Sequence, residues 1–169
     1  MSLMDTISKT VSQRSGKQTG DMDILDKLKQ EHDEAKALLK QLVEGSNARE
    51  RKATLKKLKA ALVPHLRAEE KVVYDAVLAL KDKQEQQDGE EGYLEHNLGD
   101  RVLATLGKIT NAMSPEFSAA AKVLKELVEH HVEEEERNIW AAVRENFSDE
   151  DRIEMNRKFE AAKKKVRLH

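Results

Sequence analysis

A chain of 169 residues with 30 basic and 32 acidic side chains carries a formal charge of -2 and is long enough for one domain with a real core. Charged residues make up 37% and aromatics 4%, with 7 glycines, 2 prolines and no cysteine. That balance favours helices and excludes disulfides, iron–sulfur clusters and thiolate-held metals, so any metal must use nitrogen and oxygen ligands. Interspersed charge predicts no nucleic-acid partner, and the lack of a long apolar run or a signal core predicts a cytoplasmic protein with no membrane partner.

Residues 1–20 read as a polar tail with room for a short helix around 3–11. Asp21 or Asp23 caps the first strong helix, whose stripe of Leu25, Leu28, Ala35, Leu39 and Leu42 carries His32 in line. Gly45, Ser46 and Asn47 break it. A second helix starts near Asn47 and carries Leu55, Leu58, Leu62, Val72, Val73, Ala76 and Leu80, with Pro64 inside it predicting a kink just before His65. The polar stretch 81–92, with Gly89 and Gly92, reads as a connection or a frayed end. A third helix covers about 93–112, with His96, Leu103 and Leu106 on one face. Ser114 and Pro115 start a fourth, which reaches about Asn146. Ser148, followed by three acidic residues, starts a C-terminal helix over 148–169 that lays Ile153, Phe159 and Val166 across the rest. The expected fold is all-α: an up-down-up-down four-helix bundle over 21–147, with an additional C-terminal helix and a short N-terminal tail.

Two histidines stand four residues before a glutamate, His65 before Glu69 and His131 before Glu135. That spacing puts both side chains on one helix face. The face is otherwise apolar, and burying an imidazole with a carboxylate is costly unless something satisfies them. A shift of 66 residues pairs His65, Glu69, Glu70, Tyr74 and Val77 with His131, Glu135, Glu136, Trp140 and Val143. A shift of 64 pairs Glu31, His32, Leu39 and Leu42 with Glu95, His96, Leu103 and Leu106. The chain therefore reads as two helix hairpins, each bringing one lone histidine and one histidine–glutamate pair to a common interior level. Four imidazoles and two carboxylates suit a pair of iron or manganese ions, with zinc also compatible, and leave positions open for a diatomic or peroxide ligand. His130 also precedes a glutamate, Glu134, by four, but Glu126 and Arg137 on its own face turn it outward, and the 66-residue register selects His131. Glu70 and Glu136 are expected to be solvated or to hold a ligand histidine rather than to bind metal. Tyr93 and Asp100, near His96, are further candidates, while Tyr74 and Trp140 read as core.

The order of a lone histidine, then HxxxE, repeated on four helices, resembles the hemerythrin-like, or HHE cation-binding, family over about 21–147. The resemblance implies a non-haem di-iron site, two irons with a bridging oxo or hydroxo group. Its ligands would be His32, His65, His96 and His131, with Glu69 and Glu135 bridging. It implies binding or sensing of dioxygen, nitric oxide, peroxide or iron. The oxygen carriers of that family have HxxxH on the third helix and HxxxxD on the fourth. Here Asp100 follows His96 by four and Glu135 follows His131 by four, which points toward a catalytic, sensing or nitric-oxide role. Peroxidase- or catalase-like turnover, an iron-dependent sensor and a metal-free helical interaction module are the alternatives, in a monomer or a homodimer.

Overall fold

Side chains that accept the free N–H groups of a first turn mark where the long helices begin. The structure is a computed structural model that describes residues 21–168, so the tail at 1–20, and the short helix suggested around 3–11, lie outside the described residues. Helix α1 (Ile24–Glu44) starts at Asp23, which accepts from the Leu25 N–H at 2.9 Å. Helix α2 (Ala48–Glu69) starts at Asn47, runs into a π-helical turn (Glu70–Tyr74) and ends in the short α3 (Asp75–Leu78). Asp82 caps α4 (Lys83–Lys108), and Ser114 with Pro115 opens α5 (Pro115–Arg137). Helix α6 (Ile139–Asn146) follows, and a Ser148–Asp151 capping box starts α7 (Asp149–Lys163).

Helix α1 packs on α2, α4 on α5 and α1 on α5, while the π turn and α3 close the ring against α4. This is the expected up-down-up-down bundle, and α7 crosses α1 and α2 as the additional helix. Met155 and Phe159 anchor α7, which ends at Lys163, before Val166. Among the described residues no helix is long and apolar enough to cross a membrane.

Two local expectations need correction. The stretch 81–92 is not a connection: α4 starts at Lys83, and its glycines are packing devices. A Cβ on Gly92 would lie 2.7 Å from the Tyr74 ring, so glycine is what lets α4 pass that side chain. Pro64 lies inside α2, which runs on through it to Glu69, and the π turn follows directly. The fourth helix is interrupted at Asn138. By the 66-residue repeat that interruption falls opposite the middle of the π turn, so both halves break regularity just past their paired glutamates.

The core has two parts. One cluster gathers Leu39, Leu42, Leu58, Leu62, Leu106, Phe117 and Leu124; the other gathers Ile24, Leu28, Val73, Tyr74, Val77, Trp140 and Phe159. Along each bundle helix the switch from one cluster to the other falls at the histidines. The polar belt is thus walled by hydrocarbon above and below.

Candidate metal centre

The belt brings together all six side chains singled out in the sequence: His32 from α1, His65 and Glu69 from α2, His96 from α4, and His131 and Glu135 from α5. None is more than 7% exposed. Glu69 sits among three imidazoles, with oxygens 4.0 Å from His32 Nε2 and 3.4 Å from both His65 Nε2 and His96 Nε2. Neither of its oxygens makes a hydrogen bond, nor does His32 Nε2. Buried polar atoms are rarely left this way, because each forfeits its hydration without replacement. Glu135 lies 3.2 Å from His131 Nε2 and 3.7 Å from His32 Nε2. The Nε2 atoms of His96 and His131 face each other at 3.1 Å.

Four further carboxylates fix the imidazoles from behind. Glu31 holds His65 Nδ1 at 3.0 Å, Glu95 holds His131 Nδ1 at 2.5 Å, Glu70 holds His96 Nδ1 at 3.0 Å and Glu136 holds His32 Nδ1 at 3.1 Å. An ionised carboxylate only accepts, so each Nδ1–H donates and each Nε2 is aimed at the interior. Glu31 and Glu95 act within their own hairpin, whereas Glu70 and Glu136 reach across to the other, as a pseudo-twofold arrangement requires. Of the two expectations for Glu70 and Glu136, solvent exposure or a bond to a belt histidine, the structure shows the bond. Glu31 and Glu95 were paired by the repeat but not assigned a role; the signal was the recurring glutamate immediately before each lone histidine.

Two core aromatics also reach the site. The Tyr74 hydroxyl lies 3.2 Å from His131 Nε2, 3.3 Å from Glu135 and 3.4 Å from His96 Nε2, and the Trp140 N–H donates to the other oxygen of Glu135 at 3.2 Å. Trp140 also stacks on His32, ring centroids 5.9 Å apart. Each aromatic stands five residues past a belt glutamate, about 140° off its face in an unbroken α-helix. The π turn and the Asn138 interruption correct that angle and bring both rings inward. The remaining candidates point elsewhere. The Tyr93 hydroxyl shares its one hydrogen between the Glu70 carbonyl and Asp75, Asp100 accepts from Arg67, and the His130 side chain is 62% exposed.

Charge and burial compete throughout. Burial would push His65 down, but the Glu69 charge and the Glu31 bond raise it to about 10. His131 is likewise lowered by burial and raised to about 10 by Glu135 and Glu95. Burial would raise Glu69 and Glu31. The His65 charge and the neighbouring imidazoles hold Glu69 well below the usual carboxylate range, and His65 with Lys163 brings Glu31 to about 2. Burial pushes the Tyr74 phenol well above its ordinary value, reinforced by Glu135 and Glu69, so the hydroxyl stays protonated.

Two groups of ligand atoms form in the belt, His32–His65–Glu69 and Glu69–His96–His131, each with its atoms within 4.8 Å of one another. Glu69 is common to both. The donor set and the unsatisfied atoms fit cations of borderline softness. Beside the belt lies a cavity of about 20 Å³ walled by Leu62, Leu66, Gly99, Leu127 and Val128 together with the four histidines. That is room for little more than one water-sized molecule.

A four-helix bundle with a buried histidine–carboxylate belt defines a metal-binding helical protein. The chain belongs to the Hemerythrin HHE cation binding domain family, which it matches over residues 23–143. A hemerythrin HHE cation-binding domain-containing protein from Mycobacterium kansasii has a similar crystal structure, with a TM-score of 0.72, 26% identity and coverage of 85% of this chain and 86% of that one. A DNA nickase from a Nostoc species is 29% identical over 160 residues, 95% of this chain but only 44% of that protein. The chain thus spans less than half the length of that relative.

Proposed function

We propose that the belt holds two iron ions and that the protein binds or transforms a diatomic gas or peroxide there. His32 and His65 would serve one ion and His96 and His131 the other, with Glu69 and Glu135 between them. The observation that carries this reading is Glu69, a fully buried carboxylate with both oxygens unbonded amid three inward-aimed imidazoles. Iron would supply an open, redox-active coordination position. The chain itself supplies orientation through four carboxylates, a dry setting between two apolar clusters, and a cavity sized for a very small ligand.

Elemental analysis of protein purified without chelators, with a visible spectrum alongside, tests the reading. The expected result is about two irons per chain, with ferric charge-transfer bands that change on reduction and gas exposure. Folded protein that carries no metal and takes up no ferrous iron anaerobically would leave the metal-free helical module.

Peroxide turnover is a second reading, favoured by the Tyr74 hydroxyl. It is a protonated donor within hydrogen-bonding range of two belt histidines and Glu135. Replacing Tyr74 with Phe should lower peroxide consumption with iron content unchanged; equal consumption removes this reading and leaves binding or sensing.

A further inference from the structure

The inner belt repeats between the hairpins, but its outer surroundings do not. In the first half, the Glu31 oxygen that does not hold His65 is closed off by Lys163 of α7 and by Lys27 at 3.1 Å. In the second half, the corresponding oxygen of Glu95 faces His130 Nε2 at 3.8 Å, and that nitrogen lies 3.5 Å from Glu134 Oε2. Glu95, His130 and Glu134 place three potential ligand atoms within 4.8 Å of one another. The 66-residue repeat puts Pro64 and Ala68 where the second half has His130 and Glu134, so the first half cannot build this group.

Accessibility falls along the trio, from 62% at the His130 side chain to 28% at Glu134 and 18% at Glu95. Next to it opens a second cavity of about 20 Å³. Asp88, Glu91, Glu95 and Glu134 line its sides, and Tyr74, His131 and Glu135 of the centre form its inner wall. Glu95 belongs to both places: Oε2 holds His131 Nδ1 and Oε1 faces His130. Arg137 approaches Glu134 through the other oxygen, Oε1, at 3.4 Å, which leaves Oε2 toward the trio.

We propose that Glu95, His130 and Glu134 form a solvent-side site for a divalent transition-metal cation, placed on the route by which metal reaches the buried centre. The route rests on the buried di-iron reading; the outer site does not. One imidazole and two carboxylates select ferrous, manganous or zinc ions over calcium and magnesium. Three ligands from two helices leave the ion partly hydrated and quickly exchanged, as transit requires. A cleft lined by one sign of charge concentrates counter-ions and raises their arrival rate.

The test compares the full chain with a His130→Ala/Glu134→Gln double variant, whose changes lie at solvent-accessible positions. Ferrous iron is mixed anaerobically with metal-free protein, quenched with a chelator at intervals, and the chelator-resistant iron is counted. Bound Mn²⁺ is counted separately by electron paramagnetic resonance. The variant should load roughly tenfold more slowly, reach the same final iron content, and lose one weak Mn²⁺ equivalent. An unchanged loading rate overturns the route, and an unchanged Mn²⁺ count overturns the site. A full chain that loads no resistant iron yet keeps the weak Mn²⁺ equivalent would sink the buried di-iron reading and leave the outer site standing.

Discussion

The two hairpins present the same three inward groups, two histidines and a glutamate, yet their surroundings part company on both sides of the belt. On the outside, α7 lays Lys163 on Glu31, whereas Glu95 looks toward His130 and an acidic cavity. On the inside, Glu135 is bonded at both oxygens, by Trp140 and Tyr74, whereas Glu69 is bonded at neither. A repeated hairpin can keep one ligand plan while its two copies take different jobs. Here one half is sealed, with an unsatisfied carboxylate at its centre, and the other is hydrogen-bonded inside and open outside.

The largest effect should come from breaking the inner asymmetry. Glu69 is common to both ligand groups, so Glu69→Ala should take metal from about two ions per chain to near zero. Glu135→Ala should retain part of it, because Glu135 stands outside both groups. Elemental analysis decides, and equal retention in the two variants would erase the distinction.

Next come the glutamates behind the histidines. Removing the acceptor of a ligand histidine's second N–H typically costs about 10–100-fold in metal affinity. Glu31→Ala and Glu95→Ala should both show that loss in metal titrations. Only Glu31→Ala should also lower the melting temperature of the metal-free protein, since it takes one carboxylate from both Lys27 and Lys163 and leaves Glu160 to serve the two. Equal melting temperatures would mean that the sealed side is not stabilised by its lysines.

Much of this was legible in the sequence because it depends on periodicity. The bundle and the six belt residues follow from apolar stripes and the 64- and 66-residue registers, and the choice of His131 over His130 from the latter. What escaped depends on contacts between elements. Residues 81–92 look like a loop because glycine and polar side chains disfavour a free-standing helix. The stretch is helical because Asp82 caps it and because Gly89 and Gly92 sit against Leu78 and Tyr74. Tyr74 and Trp140 read as core because an ideal helix turns them off the belt, and a π turn leaves no composition signature. Their common five-residue distance from a glutamate was the available clue.

That close passage yields a smaller effect within one helix. Gly92→Ala drives a methyl to 2.7 Å from a buried, inflexible ring, so it should destabilise the fold by about 1–3 kcal/mol and disturb the Tyr74–Glu135 contact. At Gly99 an added Cβ meets nothing within 4 Å. Gly99→Ala should therefore be neutral, or stabilising by roughly 0.5–1 kcal/mol through better helix propensity. Chemical denaturation of both variants measures the difference, and equal stability would mean that Tyr74 can yield.

The gentlest probe is pH, and it tests what the halves share. His65 and His131 are both raised to about 10 in the metal-free fold, against about 6.5 in an unfolded chain. Their contribution to metal-free stability is therefore complete below about 6.5 and is lost as pH rises through about 10. Glu31, lowered to about 2, works at the other end: its contribution holds above the ordinary carboxylate range and disappears as pH falls through that value. A metal ion needs the Nε2 lone pair, so loading at neutral pH must expel one proton from each of the two histidines. Between pH 7 and 10, metal affinity should rise while metal-free stability falls. Calorimetric titration in buffers of different ionisation enthalpy counts the protons. Release of about two per chain, falling by one in either single His→Ala variant, would show the halves equivalent in this respect. Release that vanishes with only one of the variants would extend their asymmetry to the belt itself.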